Sequence, residues 1–141
     1  MPKVTMTTEL ANSPEAVWQA IGQFSAIGHW HPQVHSVSAD GETKGSTRVL
    51  DLVGGGKIVE KLVETDPSER VYTYSIESGP LPVADYISVI KVKDNGNGTS
   101  SVEWSSEFKA KGVPENDAVN AIQEIYQQGL DNISKLYGMK S

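Results

Sequence analysis

The chain has 141 residues, a length that suits one domain over residues 1–141, and its 38% hydrophobic and 21% charged content argues for a globular core over global disorder. A net charge of −6 with a pI near 5.0 argues against nucleic-acid binding, which needs a cationic surface for phosphates, and disfavours a basic membrane-docking face. The absence of cysteine excludes disulfides, thiolate metal ligands and a cysteine nucleophile, and it is compatible with a reducing compartment.

Val4, Met6, Thr8 and Leu10 alternate with polar residues, which predicts a first strand. The same segment lacks the cationic start and apolar run of a signal peptide. No apolar stretch approaches the length of a membrane span, so the expected location is cytoplasmic, without membrane insertion. Ser13-Pro14-Glu15 then reads as a helix start, with serine as N-cap, proline at the first helical position and an acid in the first turn. Ala16, Val17, Trp18, Ala20 and Ile21 make that helix apolar, and Gly22 closes it. A second short helical piece is predicted over residues 25–28, followed by Trp30-His31-Pro32 with His29 and His35 beside it.

Strands dominate from there. Residues 34–39 form a short one, and 47–53 and 57–64 form a hairpin around Gly54-Gly55-Gly56. Further strands are predicted over 70–78, 84–93 and 101–110. Asp66-Pro67-Ser68-Glu69, Gly79-Pro80-Leu81-Pro82 and Asp94-Asn95-Gly96-Asn97-Gly98 separate them. Residues 114–137 close the chain as a long helix, with Pro114 in its first turn. Its apolar stripe is Ala118, Ile122, Ile125, Gly129, Ile133 and Leu136, widened by Tyr126, Leu130 and Tyr137. Strands joined by short turns pair antiparallel, and helices segregated from such a sheet make an α+β fold. The expected architecture is a curved sheet around the last helix.

In the hairpin, the even-numbered positions share a face: Arg48, Leu50, Leu52, Ile58, Glu60 and Leu62. If that face meets the helix, Arg48 and Glu60 point inward together, with Tyr72 and Tyr74 alongside and Trp104 from the last strand. The alternative is an ion pair at a cavity rim or side chains reaching solvent, since ionisable residues are seldom buried without a partner. A Glu60 buried in an apolar wall would have a raised pKa and become a candidate proton donor or base. His31, fixed between Trp30 and Pro32, is either a second acid/base candidate or a histidine hydrogen-bonded to backbone. The spacing of His29, His31 and His35 matches no zinc pattern, and no metal or cofactor is expected. Gly54-Gly55-Gly56-Lys57 lacks the hydroxyl residue and following helix of a phosphate loop and suits a cavity lip. Ser105 and Ser106 have no nucleophile-elbow context. Gly129, costly inside a helix, marks either close packing against a strand or space for a ligand.

Ser13-Pro14-Glu15-Ala16-Val17-Trp18, Ile21-Gly22-Gln23-Phe24 and Trp30-His31-Pro32, in this order of elements, resemble the START and birch-pollen-allergen superfamily. Glu60-Lys61-Leu62 with Asp66, and Gly79-Pro80-Leu81-Pro82-Val83 leading to Asp85-Tyr86, point to its polyketide cyclase/dehydrase-like branch, the SRPBCC proteins. The resemblance covers nearly the whole chain. It implies a helix-grip fold: a seven-stranded antiparallel sheet holding the C-terminal helix, two short helices after the first strand, and a cavity between sheet and helix. It also implies an apolar partner molecule such as a lipid or polyketide, and for some members an enzymatic activity. The candidate wall is then Trp30, Arg48, Leu50, Leu62, Tyr72 and Tyr74, with Tyr86, Trp104, Ile122, Tyr126 and Gly129. His31 and Glu60 are the candidates for proton transfer in a cyclase or dehydratase. A third expectation is an interaction module whose interior is filled by side chains.

Overall fold

The computed structural model describes residues 1–138. The strands are β1 (Lys3–Leu10), β2 (Val34–Ala39), β3 (Thr47–Leu52), β4 (Lys57–Asp66), β5 (Val71–Ser78), β6 (Val83–Gly96) and β7 (Thr99–Ala110). They form one antiparallel sheet in the order β1-β7-β6-β5-β4-β3-β2. Between β1 and β2 lie α1 (Pro14–Ile21), a 3-10 turn (Phe24–Ala26) and α2 (Ile27–Trp30). The last element among the described residues is α3 (Glu115–Tyr137), laid across the concave face of the sheet.

Local signals account for these elements. Ser13 caps α1, its hydroxyl accepting from the Ala16 N–H at 3.2 Å, and Pro14 stands at the first helical position. The predicted second helical piece is longer than its sequence signal. It runs as the 3-10 turn into α2, which carries Trp30. Glu42 holds the start of that turn, accepting from Phe24 N–H at 2.6 Å and Ser25 N–H at 3.2 Å.

In α3, Pro114 is the N-cap and not a first-turn residue, with ψ of 151° outside the helical range. Ala118, Ile122, Tyr126, Gly129, Leu130 and Ile133 are buried as the stripe predicts. Leu136 is a correction: it is 50% exposed, because the stripe drifts off the sheet in the last turn. Gly138 ends the helix, and its N–H donates to the Ser134 carbonyl.

The predicted phase of the strands holds. Arg48, Leu50, Ile58, Glu60, Leu62, Tyr72, Tyr74, Val102, Trp104 and Phe108 all point inward and are buried. One phase change escapes simple alternation. The β6–β7 register shifts between Ala84 and Ile87, where Asp85 has a φ of 53°. The bulge turns both Val83 and Tyr86 inward, three residues apart.

A ligand-sized cavity with a buried ion pair and a hydroxyl chain

Between the sheet and α3 the molecule encloses a cavity of about 210 Å³. Its floor is Leu50, Leu52 and Ile58 of the β3–β4 hairpin, with Glu60, Tyr74, Ile76, Tyr86 and Trp104 from β4 to β7. Ile27, His31 and Val34 close one side, and Ile122 and Ile125 of α3 form the roof. Gln33 and Val53, both exposed, and Leu81 stand at the mouth. The three-glycine turn adjoins this opening. All three glycines have positive φ, which lets the hairpin turn sharply, and a Cβ on Gly56 would lie 3.8 Å from Pro80 Cγ. An interior with this void is not the filled interior an interaction module requires.

Seven of the residues singled out from sequence border the cavity: His31, Leu50, Glu60, Tyr74, Tyr86, Trp104 and Ile122. Six do not. Trp30, Arg48, Leu62, Tyr72, Tyr126 and Gly129 stand behind the wall, buried and occupied in supporting it. Sequence reasoning missed the apolar remainder, Ile27, Val34, Ile76, Leu81 and Ile125 among it. Ile76 was available from the phase of its strand, since period-two alternation gives it the same face as Tyr72 and Tyr74.

Arg48 is wholly buried and Glu60 nearly so. They face each other across the β3–β4 ladder. Arg48 Nε donates to Glu60 Oε1 at 2.8 Å, and Nη2 comes to 2.8 Å from the same oxygen without the alignment of a hydrogen bond. Nη1 donates to the Phe24 carbonyl at 2.6 Å and reaches Tyr72 Oη at 3.4 Å. The guanidinium also lies over the rings of Phe24 at 4.1 Å and Tyr74 at 4.9 Å. Burial works against its charge, but Tyr72, Glu60 and Tyr74 outweigh that and hold its pKa above the ordinary value. Burial pushes the Glu60 carboxyl up from its ordinary range, and the Arg48 charge and hydrogen bond pull it part of the way back. This is a buried ion pair and not the rim pair considered from sequence.

A second polar system lines the β5–β7 side. Trp104 Nε1 donates to Tyr74 Oη at 3.1 Å and to Ser88 Oγ at 3.0 Å. Tyr74 and Tyr86 hydroxyls meet at 3.1 Å, Tyr86 and Tyr126 at 2.5 Å, and Tyr126 and Ser88 at 2.9 Å. Ser88 Oγ donates to the Ser105 carbonyl at 2.9 Å. Burial raises the pKa of all three tyrosines, that of Tyr126 to about 12, so they are neutral phenols near pH 7.

His31 is held from both sides. The Gln33 N–H donates to Nδ1 at 3.1 Å, and Nε2 lies 2.8 Å from the Ile125 carbonyl. Burial lowers its pKa, opposed in part by the Ile125 bond. Both ring nitrogens are engaged by backbone groups, which is the geometry of the backbone-bonded alternative. Asn132 Nδ2 donates to the Trp30 carbonyl at 2.8 Å, so α3 clamps the Trp30-His31 pair at two points. Gly129 lies between those points. A Cβ there would meet His31 Cδ2 and Trp104 Cζ3 at 2.8 Å and Trp30 Cζ3 at 3.0 Å. Close packing, against three rings, is what its missing side chain permits. Among the described residues no group of three or more His, Asp or Glu side chains is placed to hold a metal ion, and no helix is long and apolar enough to cross a membrane.

A seven-stranded sheet gripping a terminal helix over an apolar cavity defines the START-like class of small-molecule-binding folds. The chain belongs to the family described as polyketide cyclase/dehydrase and lipid transport, which it matches over residues 1–138. It is similar to the protein XoxI from Bacillus cereus, at 37% identity over 97% of this chain and 96% of that one, with a TM-score of 0.91. An uncharacterised protein from Bacillus thuringiensis is 36% identical over 96% of this chain and 98% of that one, with a TM-score of 0.90. A START superfamily protein from Mycobacterium smegmatis, 16% identical over 96% of each chain, shares the fold at a TM-score of 0.80. No curated protein matches the sequence.

Proposed function

We propose that the protein binds one small apolar or aromatic molecule in the cavity between sheet and α3. The observation that carries this reading is the void itself: about 210 Å³, apolar for most of its wall, opening beside the glycine turn. A dry apolar cavity of roughly 150 Å³ accepts benzene, so this one suits a one- or two-ring molecule or a short chain better than a whole lipid. Burying about 200 Å² of apolar surface would contribute roughly 5 kcal/mol before the cost of association. Apolar burial alone therefore gives weak binding, and the polar groups on the wall matter for both affinity and orientation.

A second reading is supported by Glu60. It borders the cavity beside a fixed cation, with its pKa raised by burial, as a general base requires. In a cyclase or dehydratase of this build Glu60 would move the proton and His31 would hold α2 in place. Native mass spectrometry of the purified protein, followed by extraction and identification of bound material, tests the first reading. The expected result is one apolar molecule of about this size per chain, or saturable uptake of a two-ring probe. An empty protein that also ignores such probes removes both readings. Turnover of a bound compound that Glu60→Gln abolishes, with binding retained, would favour the enzyme.

A further inference from the structure

Resting on the ligand-binding reading above, we infer that the cavity selects molecules that bring their own hydrogen-bond donor, such as a phenol, an alcohol or an amine. The interior polar side chains of its wall offer lone pairs and no free hydrogen.

The direction of every bond in the hydroxyl chain follows from its far end. Ser88 has one hydroxyl hydrogen, and it goes to the Ser105 carbonyl, which can do nothing but accept. Tyr126 must therefore donate to Ser88 Oγ. With that hydrogen placed, Tyr126 can only accept from Tyr86. The Tyr86 hydrogen is then spent, so Tyr74 donates to Tyr86. The Trp104 N–H is forked between Tyr74 Oη and Ser88 Oγ. At His31, Nδ1 accepts from Gln33, so Nε2 carries the hydrogen and gives it to the Ile125 carbonyl.

What remains is acceptor capacity. Tyr74 and Tyr86 each keep a lone pair. Glu60 receives both Arg48 contacts on Oε1, and Oε2 has no protein partner among the described residues. Arg48 beside it favours the carboxylate over the acid. Three buried donors lack a hydrogen-bond partner, Trp30 Nε1, Arg48 Nη2 and the Ser106 hydroxyl, but none of these residues borders the cavity. The Gln33 amide, which could offer either, is exposed at the mouth. A ligand carbonyl pushed inside would lose its water and face these oxygens, whereas a ligand hydroxyl would find a charged acceptor.

The test compares three two-ring probes of similar shape by isothermal titration calorimetry near pH 7: 2-naphthol, naphthalene and 2-naphthaldehyde. Naphthol is expected to bind roughly ten- to one-hundred-fold tighter than naphthalene, the range for one hydrogen bond to a charged group. Naphthaldehyde is expected to bind weaker than naphthalene. Glu60→Gln, whose amide also donates, is expected to narrow the gap between naphthol and the aldehyde. Equal binding of all three by wild type, or an aldehyde preference, overturns donor selection and leaves the apolar cavity standing. Failure of all three to bind overturns the ligand-binding reading and this inference together.

Discussion

Arg48 and Glu60 meet inside the molecule, 2.8 Å apart, with the arginine wholly buried and its other amino group tied to the Phe24 carbonyl. Each charge is tolerable because of the other. Arg48→Met leaves Glu60 buried beside no cation and also frees the Phe24 carbonyl. It is expected to cost about 3–5 kcal/mol in urea unfolding, the range for breaking a buried pair from one side. The double variant Arg48→Met/Glu60→Leu is expected to recover most of that loss, since well-packed apolar replacements of buried pairs are often neutral. Additive losses would show that the two residues do not act as a pair.

His31 predicts an acid-sensitive stability. Its folded pKa lies below the ordinary 6.5, so the unfolded chain takes up the proton first. The His31 contribution is therefore complete above about pH 6.5 and is lost as pH falls through the folded value. Glu60 works in the opposite sense. Its raised pKa makes its ionisation unfavourable to folding as pH climbs above 4.5. Thermal melts between pH 5 and 8 are expected to show a fall in Tm on the acid side that is smaller in His31→Gln. An unchanged acid slope in that variant would assign the effect to other groups.

The path from residues to this site was uneven. Period-two alternation sufficed to put Arg48, Glu60, Tyr72 and Tyr74 on the inner face, because a strand facing a helix has little choice of phase. It could not say which of them reach the void. Tyr72 and Tyr74 have the same phase and differ only in position along the strand, yet Tyr74 borders the cavity and Tyr72 supports Arg48. Tyr126 and Trp30 share that limit: a large aromatic on a buried face reads alike whether it lines a cavity or backs it. The mouth was partly legible through Gly54-Gly55-Gly56. Ile27 and Val34 were not, since their placement depends on how α2 docks against α3 through His31 and Asn132.

Gly129→Ala sets two effects against each other. Helix propensity favours alanine by about 1 kcal/mol. The added Cβ, however, would stand 2.8–3.0 Å from three rings that themselves pack edge to face, Trp30 on Trp104 at 5.3 Å and His31 on Trp104 at 6.0 Å. Ring systems in a closed core cannot swing aside, and overpacking of this kind costs roughly 1–3 kcal/mol. The expected net result is destabilisation, with the Trp104 near-ultraviolet circular dichroism band altered. A variant more stable than wild type would mean that the three rings yield easily.

Tyr126 lies behind the cavity wall, yet it is predicted to govern what the cavity accepts. It receives the Tyr86 hydrogen and passes its own to Ser88. Tyr126→Phe keeps the ring stacked on Trp104, 4.1 Å away, and removes the acceptor that holds the Tyr86 hydroxyl. The unsatisfied hydroxyl costs about 1–3 kcal/mol of stability if it finds no new partner. Tyr86 borders the void, so its freed hydrogen can instead turn to a ligand carbonyl. The variant is therefore expected to bind 2-naphthaldehyde more tightly than wild type does, with naphthalene binding little changed. Calorimetric titration of both probes into both proteins measures the effect. A loss of affinity for both in equal proportion would mean that Tyr126 shapes the cavity rather than the direction of its hydrogen bonds.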